Sequence, residues 1–156
     1  MAHVFYEDEV ACAPEGIVER LKARLAPQAR GEADIWYELE VPFEDLHLPK
    51  IGRFSRKVLM HIGTPERRKY AMLLPISWRV EDSKAFPEFT GWIEAVPLSS
   101  TRTQLAILGD YTPPMGIVGS VIDAVGGHVV AQVTVRRFVE RLRVLLEDAG
   151  VTGNGS

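Results

Sequence analysis

The chain has a single cysteine, Cys12, which excludes a disulfide framework and any zinc site built on several thiolates. Asparagine is equally scarce: Asn154 stands alone, and the sequon Asn154-Gly155-Ser156 falls in a short tail without secretory context, so it carries no functional weight. Lysine is outnumbered by arginine, 5 against 13, a bias that GC-rich coding produces without reference to mechanism. An excess of one charge is also missing. The net charge of −3 gives no global attraction to nucleic acid or anionic lipid. Met1-Ala2-His3-Val4-Phe5-Tyr6 runs straight into Glu7, Asp8 and Glu9, without the basic and apolar regions of a signal peptide, so a cytoplasmic protein is expected. There is no phosphate-cradling glycine loop, no nucleophile elbow and no His-Glu-x-x-His helix.

What the chain does have is the composition of a packed domain. It is 156 residues long, 46% hydrophobic and 25% charged, too apolar for disorder and long enough to bury a core without staples. A single domain over residues 1–150 is expected, with 151–156 as a tail.

Residues 4–11 mix β-branched and aromatic residues with acids and predict a half-exposed edge strand. Pro14 and Glu15 suit a helix start, and Ile17, Val18, Leu21 and Leu25 form one apolar stripe of a three-turn helix that Pro27 and Gly31 end. The period then changes to two. Ala33, Ile35, Tyr37, Leu39 and Val41 alternate with Asp34, Trp36, Glu38 and Glu40. A second alternation covers 54–62, and Tyr70, Met72, Leu74, Ile76, Trp78 and Val80 share the next strand face. Pro75 inside that strand argues for an edge or a bulge. Residues 89–96 and 104–111 predict two more strands, after which Pro113-Pro114 breaks the chain.

A long helical pattern follows over 116–148, with apolar residues from Val118 to Leu146 at three- and four-residue steps and Gly126-Gly127 in its middle. Asp123, His128, Gln132 and Ser120 make its first part a poor membrane span, since a mid-bilayer Asp costs roughly 2.5–3.5 kcal/mol, and no stable membrane insertion is expected. The order is strand, helix, about five antiparallel strands and one long helix. A curved meander must bury its apolar face, and only the last helix is large enough to cover it. The fold class is therefore α+β.

Three stretches resemble one family. Pro75-Ile76-Ser77-Trp78-Arg79, Phe86-Pro87-Glu88-Phe89-Thr90-Gly91 and the run from Leu105 through Gly109-Asp110-Tyr111-Thr112-Pro113-Pro114-Met115-Gly116 are similar to the helix-grip superfamily, the START and Bet v 1-like group often called SRPBCC. Gly119-Ser120-Val121-Ile122-Asp123 and Ala131-Gln132-Val133-Thr134-Val135-Arg136-Arg137-Phe138 resemble its C-terminal helix. The group includes polyketide cyclases and lipid-transfer proteins. The resemblance implies a curved antiparallel sheet wrapped around a long C-terminal helix, with a ligand cavity between them. It also implies a second short helix after the first, for which the sequence leaves residues 26–32. It implies no reaction, because the fold hosts binders and enzymes alike.

The apolar phase of the strands supplies a candidate ligand-binding set: Tyr37, Met60, Met72, Leu74, Ile76, Trp78, Ile93, Ile107 and Tyr111, joined by Met115, Val118, Ile122 and Val125 after the break. Core packing alone accounts equally for the methionines and Trp78, and Tyr37 and Tyr111 are either core tyrosines or groups that orient a ligand or act as acids. The proline turn and Tyr111 are expected at the rim of a pocket entrance, with Met115 and Tyr111 gating access. His3, His47, His61 and His128 share no local motif, so neither metal nor cofactor is expected. Asp123 and His128 lie about 140° apart on a helix and cannot act as a same-face pair. Arg136–Glu140 and Arg143–Glu147 have i,i+4 spacing, which makes the basic residues of the last helix a charge-paired face, with no nucleic-acid partner. Cys12 is a small buried side chain.

Three functions remain. The first is binding of a small hydrophobic ligand (lipid, quinone or polyketide-like) by a monomer or homodimer. The second is a polyketide cyclase or dehydratase using cavity Tyr or Asp groups. The third is a protein-interaction module.

Overall fold

Alternating apolar and polar residues become seven strands: β1 (Ala2–Val10), β2 (Asp34–Pro42), β3 (Arg53–Ile62), β4 (Glu66–Arg67), β5 (Met72–Arg79), β6 (Glu88–Pro97) and β7 (Thr103–Thr112). Among the described residues two helices accompany them, α1 (Ile17–Leu25) and the long C-terminal α2 (Gly127–Gly153). The computed structural model describes residues 2–25, 34–42, 53–79, 88–112 and 127–153. The expected second short helix in 26–32 lies outside them.

The strands pair antiparallel in one sheet, in the order β1-β7-β6-β5-β3-β2, with β4 beside β5. Most of this order is a meander of sequential neighbours. The exception is β1, which pairs with β7 along its whole length, from Ala2↔Tyr111 to Val10↔Thr103. β1 and β2 are the two ends of the strand order, yet both pack against α2, so the sheet curls around the helix and grips it. The architecture is α+β of the helix-grip kind.

Phase decides the faces. On β5, Leu74, Ile76 and Trp78 are buried; on β6, Phe89, Ile93 and Ala95; on β7, Leu105, Ile107 and Tyr111. Helix α2 meets this concave side with Val135, Phe138, Val139, Leu142 and Leu146, spaced as one helical stripe. Burying each such side chain contributes roughly 1.5–3 kcal/mol. The stripe of α1 is buried at Ile17, Val18 and Leu21, and α1 packs on α2.

Three expectations needed adjusting. Helix α1 begins at Ile17 rather than near Pro14: residues before it form a turn in which the Ile17 amide donates to the Pro14 carbonyl, and Gly16 takes a φ of 70°. Tyr70 does not share the β5 face. It lies in the turn between β4 and β5, 74% exposed, with Lys69 Nζ 5.3 Å from its ring centroid. Pro75 sits in a central strand, but at a local gap. β3 pairs with β5 only as far as Ile62↔Ile76 and β4 only at Met72 and Leu73. The Pro75 carbonyl accepts from Gly63 on that side, where Pro75 has no N–H to return, so the paired ladder with β3 ends at Ile76. Helix α2 is described from Gly127 on, and the earlier part of the helix expected over 116–148, with Gly126, lies outside the described residues. Residues 113–126, with Met115, Val118, Ile122, Asp123 and Val125, lie outside the described residues.

Candidate functional site

The alternation that buries Trp78 on β5 places it opposite Phe89 of β6 in register. Their rings stack with centroids 4.5 Å apart. Tyr111, in register with Phe89 on β7, meets Trp78 edge-on at 6.1 Å. From the helix, Phe138 lies 5.1 Å from Trp78 and 5.5 Å from Tyr37. Five aromatic rings from four strands and one helix thus converge on the concave side.

Besides the Tyr37 hydroxyl at its margin, this cluster holds two polar atoms. Trp78 Nε1 and Tyr111 Oη are buried and have no geometrically formed hydrogen bond among the described residues. Thr134 is the polar neighbour of the phenol, but its hydroxyl donates to the Val130 carbonyl at 2.8 Å. Burial pushes the Tyr111 phenol far above its ordinary ionisation range, against a smaller pull from Thr134. Burial likewise raises Tyr37, opposed by the Arg141 guanidinium nearby. Both groups are therefore neutral O–H groups at physiological pH. An unsatisfied buried donor costs about 1–3 kcal/mol, so two in one cluster are exceptional.

Of the thirteen candidate ligand-binding residues, nine are described, and all nine belong to or pack on this core. Met60, Leu74, Ile76, Trp78, Ile93, Ile107 and Tyr111 are buried; Tyr37 and Met72 are half-buried at its margin. Tyr111 is not at a rim: it is wholly buried, because its position on β7 directs the ring inward between Trp78 and α2. The gating expectation fails for it, and Met115 lies outside the described residues. Phe89 and Phe138, which complete the aromatic cluster, were legible only as strand and helix core positions.

The remaining candidates are structural. Cys12 is buried under the Arg20 guanidinium, which donates to its Sγ at 3.3 Å and to the Ala13 carbonyl, while the Thr103 hydroxyl donates to the Cys12 carbonyl at 2.8 Å. His3 faces Asp110 at 3.2 Å on the surface, and His128 is exposed. Among the described residues no group of three His, Cys, Asp or Glu side chains is placed to hold a metal. None of the described helices is long and apolar enough to cross a membrane. The two helical i,i+4 pairs form, each at 3.2 Å.

No protein-family model and no curated protein matches the chain. Among solved structures it is similar to the Zhui aromatase/cyclase from Streptomyces sp. R1128, with 16% identity, a TM-score of 0.49, and 94% of this chain and 89% of that one covered.

Proposed function

We propose that the protein binds one small hydrophobic ligand between the concave face of its sheet and its C-terminal helix. The observation that carries this reading is the pair of orphaned donors, Trp78 Nε1 and Tyr111 Oη, inside an otherwise apolar aromatic cluster. A ligand oxygen that accepts from them removes the cost of leaving them unpaired, while its hydrocarbon body meets apolar walls. The candidate set expected from sequence also includes Met115, Val118, Ile122 and Val125, which lie outside the described residues.

Quinones, aromatic polyketides and oxygenated lipids have the required combination of apolar body and acceptor oxygen. Native mass spectrometry after mild purification, with a thermal-shift screen of these three classes, tests the reading. A co-purifying mass or a saturable rise in melting temperature is expected. Absence of both across the screen would overturn it.

The cyclase or dehydratase alternative asks more of the same place. Tyr111, held protonated, is suited to give a proton and not to take one, so a base must come from elsewhere. Turnover of a polyketide-like substrate that disappears in Tyr111→Phe favours that alternative; binding without turnover favours a carrier.

A further inference from the structure

The opposite, convex face of the sheet carries a cavity of about 340 Å³, whose lining includes Leu59 and His61 of β3, Ser77 and Arg79 of β5, and Glu88 and Thr90 of β6. Register explains the cluster. His61 pairs with Ser77 and Ser77 with Thr90, while Leu59 pairs with Arg79, so these side chains form two adjacent rows on one face. Trp78 and Phe89, stacked on the concave side, lie beneath.

Two of the three tryptophans stand on this same face. Trp36 is paired with Leu59 and 50% exposed; Trp92 is two residues along β6 from Thr90 and 43% exposed. Lys57 Nζ lies 5.5 Å from the Trp36 ring centroid. Large half-exposed indoles on either side of a polar cavity are unusual for a surface that serves only solubility.

The lining chemistry narrows the occupant. Arg79 disfavours a cation and Glu88 an anion, and among the described residues no ion pair engages either. Arg79 supplies donors only, Glu88 acceptors only, and the Ser77 and Thr90 hydroxyls either. An uncharged ligand rich in hydroxyls uses all of these at once, and the apolar C–H face of a pyranose ring suits an indole. We infer that this convex cavity is a carbohydrate-binding site for a neutral saccharide, with Trp36 and Trp92 as flanking platforms. Trp78 and Phe89 line it as well, so it shares these two rings with the concave aromatic cluster.

The test uses the full chain and the methyl glycosides of glucose, galactose, mannose and N-acetylglucosamine, titrated to millimolar concentrations. The readout is the indole N–H signals in a nitrogen–proton correlation spectrum. At least one glycoside is expected to shift the Trp36 or the Trp92 signal saturably. In Glu88→Gln combined with Ser77→Ala, two exposed-face changes whose folding the same spectrum verifies, affinity should fall about tenfold or more. The site is overturned if no glycoside gives a saturable shift, if acetate or methylammonium reproduces it, or if the double variant binds as well as the natural chain.

Discussion

Gly91 and Gly109 stand opposite each other on β6 and β7, and the tip of the Phe89 ring fills the space that a side chain at either would need. A Cβ at Gly91 would lie 2.1 Å from the Leu108 carbonyl oxygen and 2.8 Å from Phe89 Cζ. At Gly109, where φ is +156°, it would lie 2.3 Å from the Thr90 carbonyl oxygen and 2.9 Å from Phe89 Cζ. Both nearest atoms are backbone, which cannot swing aside. The glycine pair is thus what lets Phe89 lie flat and stack on Trp78.

Gly91→Ala should therefore cost at least about 3 kcal/mol, the upper end of overpacking penalties. For a chain of this size that corresponds to roughly 6 °C or more in melting temperature. The near-ultraviolet circular dichroism of Trp78 should weaken in the same variant, because its stacking partner is displaced. A loss below about 1 kcal/mol would mean that the two strands part easily there.

Tyr111→Phe separates the roles of the buried hydroxyl. Since the hydroxyl has no geometrically formed hydrogen bond among the described residues, removing it from the ligand-free protein should leave stability unchanged or raise it by up to about 1 kcal/mol. The same change should weaken binding of an oxygenated ligand about tenfold, the equivalent of one hydrogen bond to a buried donor. Urea unfolding and a ligand titration on the same sample check both. A destabilised, ligand-free variant would show that the hydroxyl has an internal partner.

How far the sequence foretold this site follows from which physics is local. Period-two alternation named the inward phase of β2, β3, β5, β6 and β7, and with it Trp78, Tyr111 and their apolar neighbours. It could not reveal that Trp78 Nε1 and Tyr111 Oη lack partners, since that depends on where α2 lies. The pairing of β1 with β7 joins residues about a hundred positions apart and leaves no mark in local spacing. The convex cavity had a faint signal: Trp36 shares the phase of the polar residues Asp34 and Glu38, the wrong one for a core side chain. Its value emerged only when register set Leu59 and Arg79 beside it.

The buried phenols also fix an alkaline limit. Burial raises Tyr111 and Tyr37 above the ordinary tyrosine value of about 10. Below that pH both states are protonated and these groups add no pH dependence. Above it the unfolded chain releases protons that the folded chain retains, so stability falls by up to about 1.4 kcal/mol per pH unit for each such phenol. Denaturation curves from pH 8 to 11 should be flat at first and then decline, with a shallower decline in Tyr111→Phe. An equal slope in that variant would remove Tyr111 from the account.

Charge pairs fasten the gripping helix to both ends of the sheet. Arg143 reaches Asp8 of β1 at 3.2 Å, and Glu147 accepts from the Ala11 amide at 3.0 Å. At the other end Arg137 meets Glu40 of β2 at 3.1 Å, with the two side chains 32% and 21% exposed. This pair is more sheltered than the helix-surface pair Arg136–Glu140, so solvent screens it less. A double-mutant cycle of Arg137→Gln and Glu40→Gln should give a coupling of about 0.5–1 kcal/mol at low salt, the upper range for partly exposed pairs. High salt should reduce that coupling only in part. The same cycle on Arg136 and Glu140 should give the smaller value of an i,i+4 pair, about 0.3–0.5 kcal/mol, and lose most of it to salt. A coupling at Arg137 and Glu40 no larger than at the helical pair would show that this pair does not fasten the helix to β2.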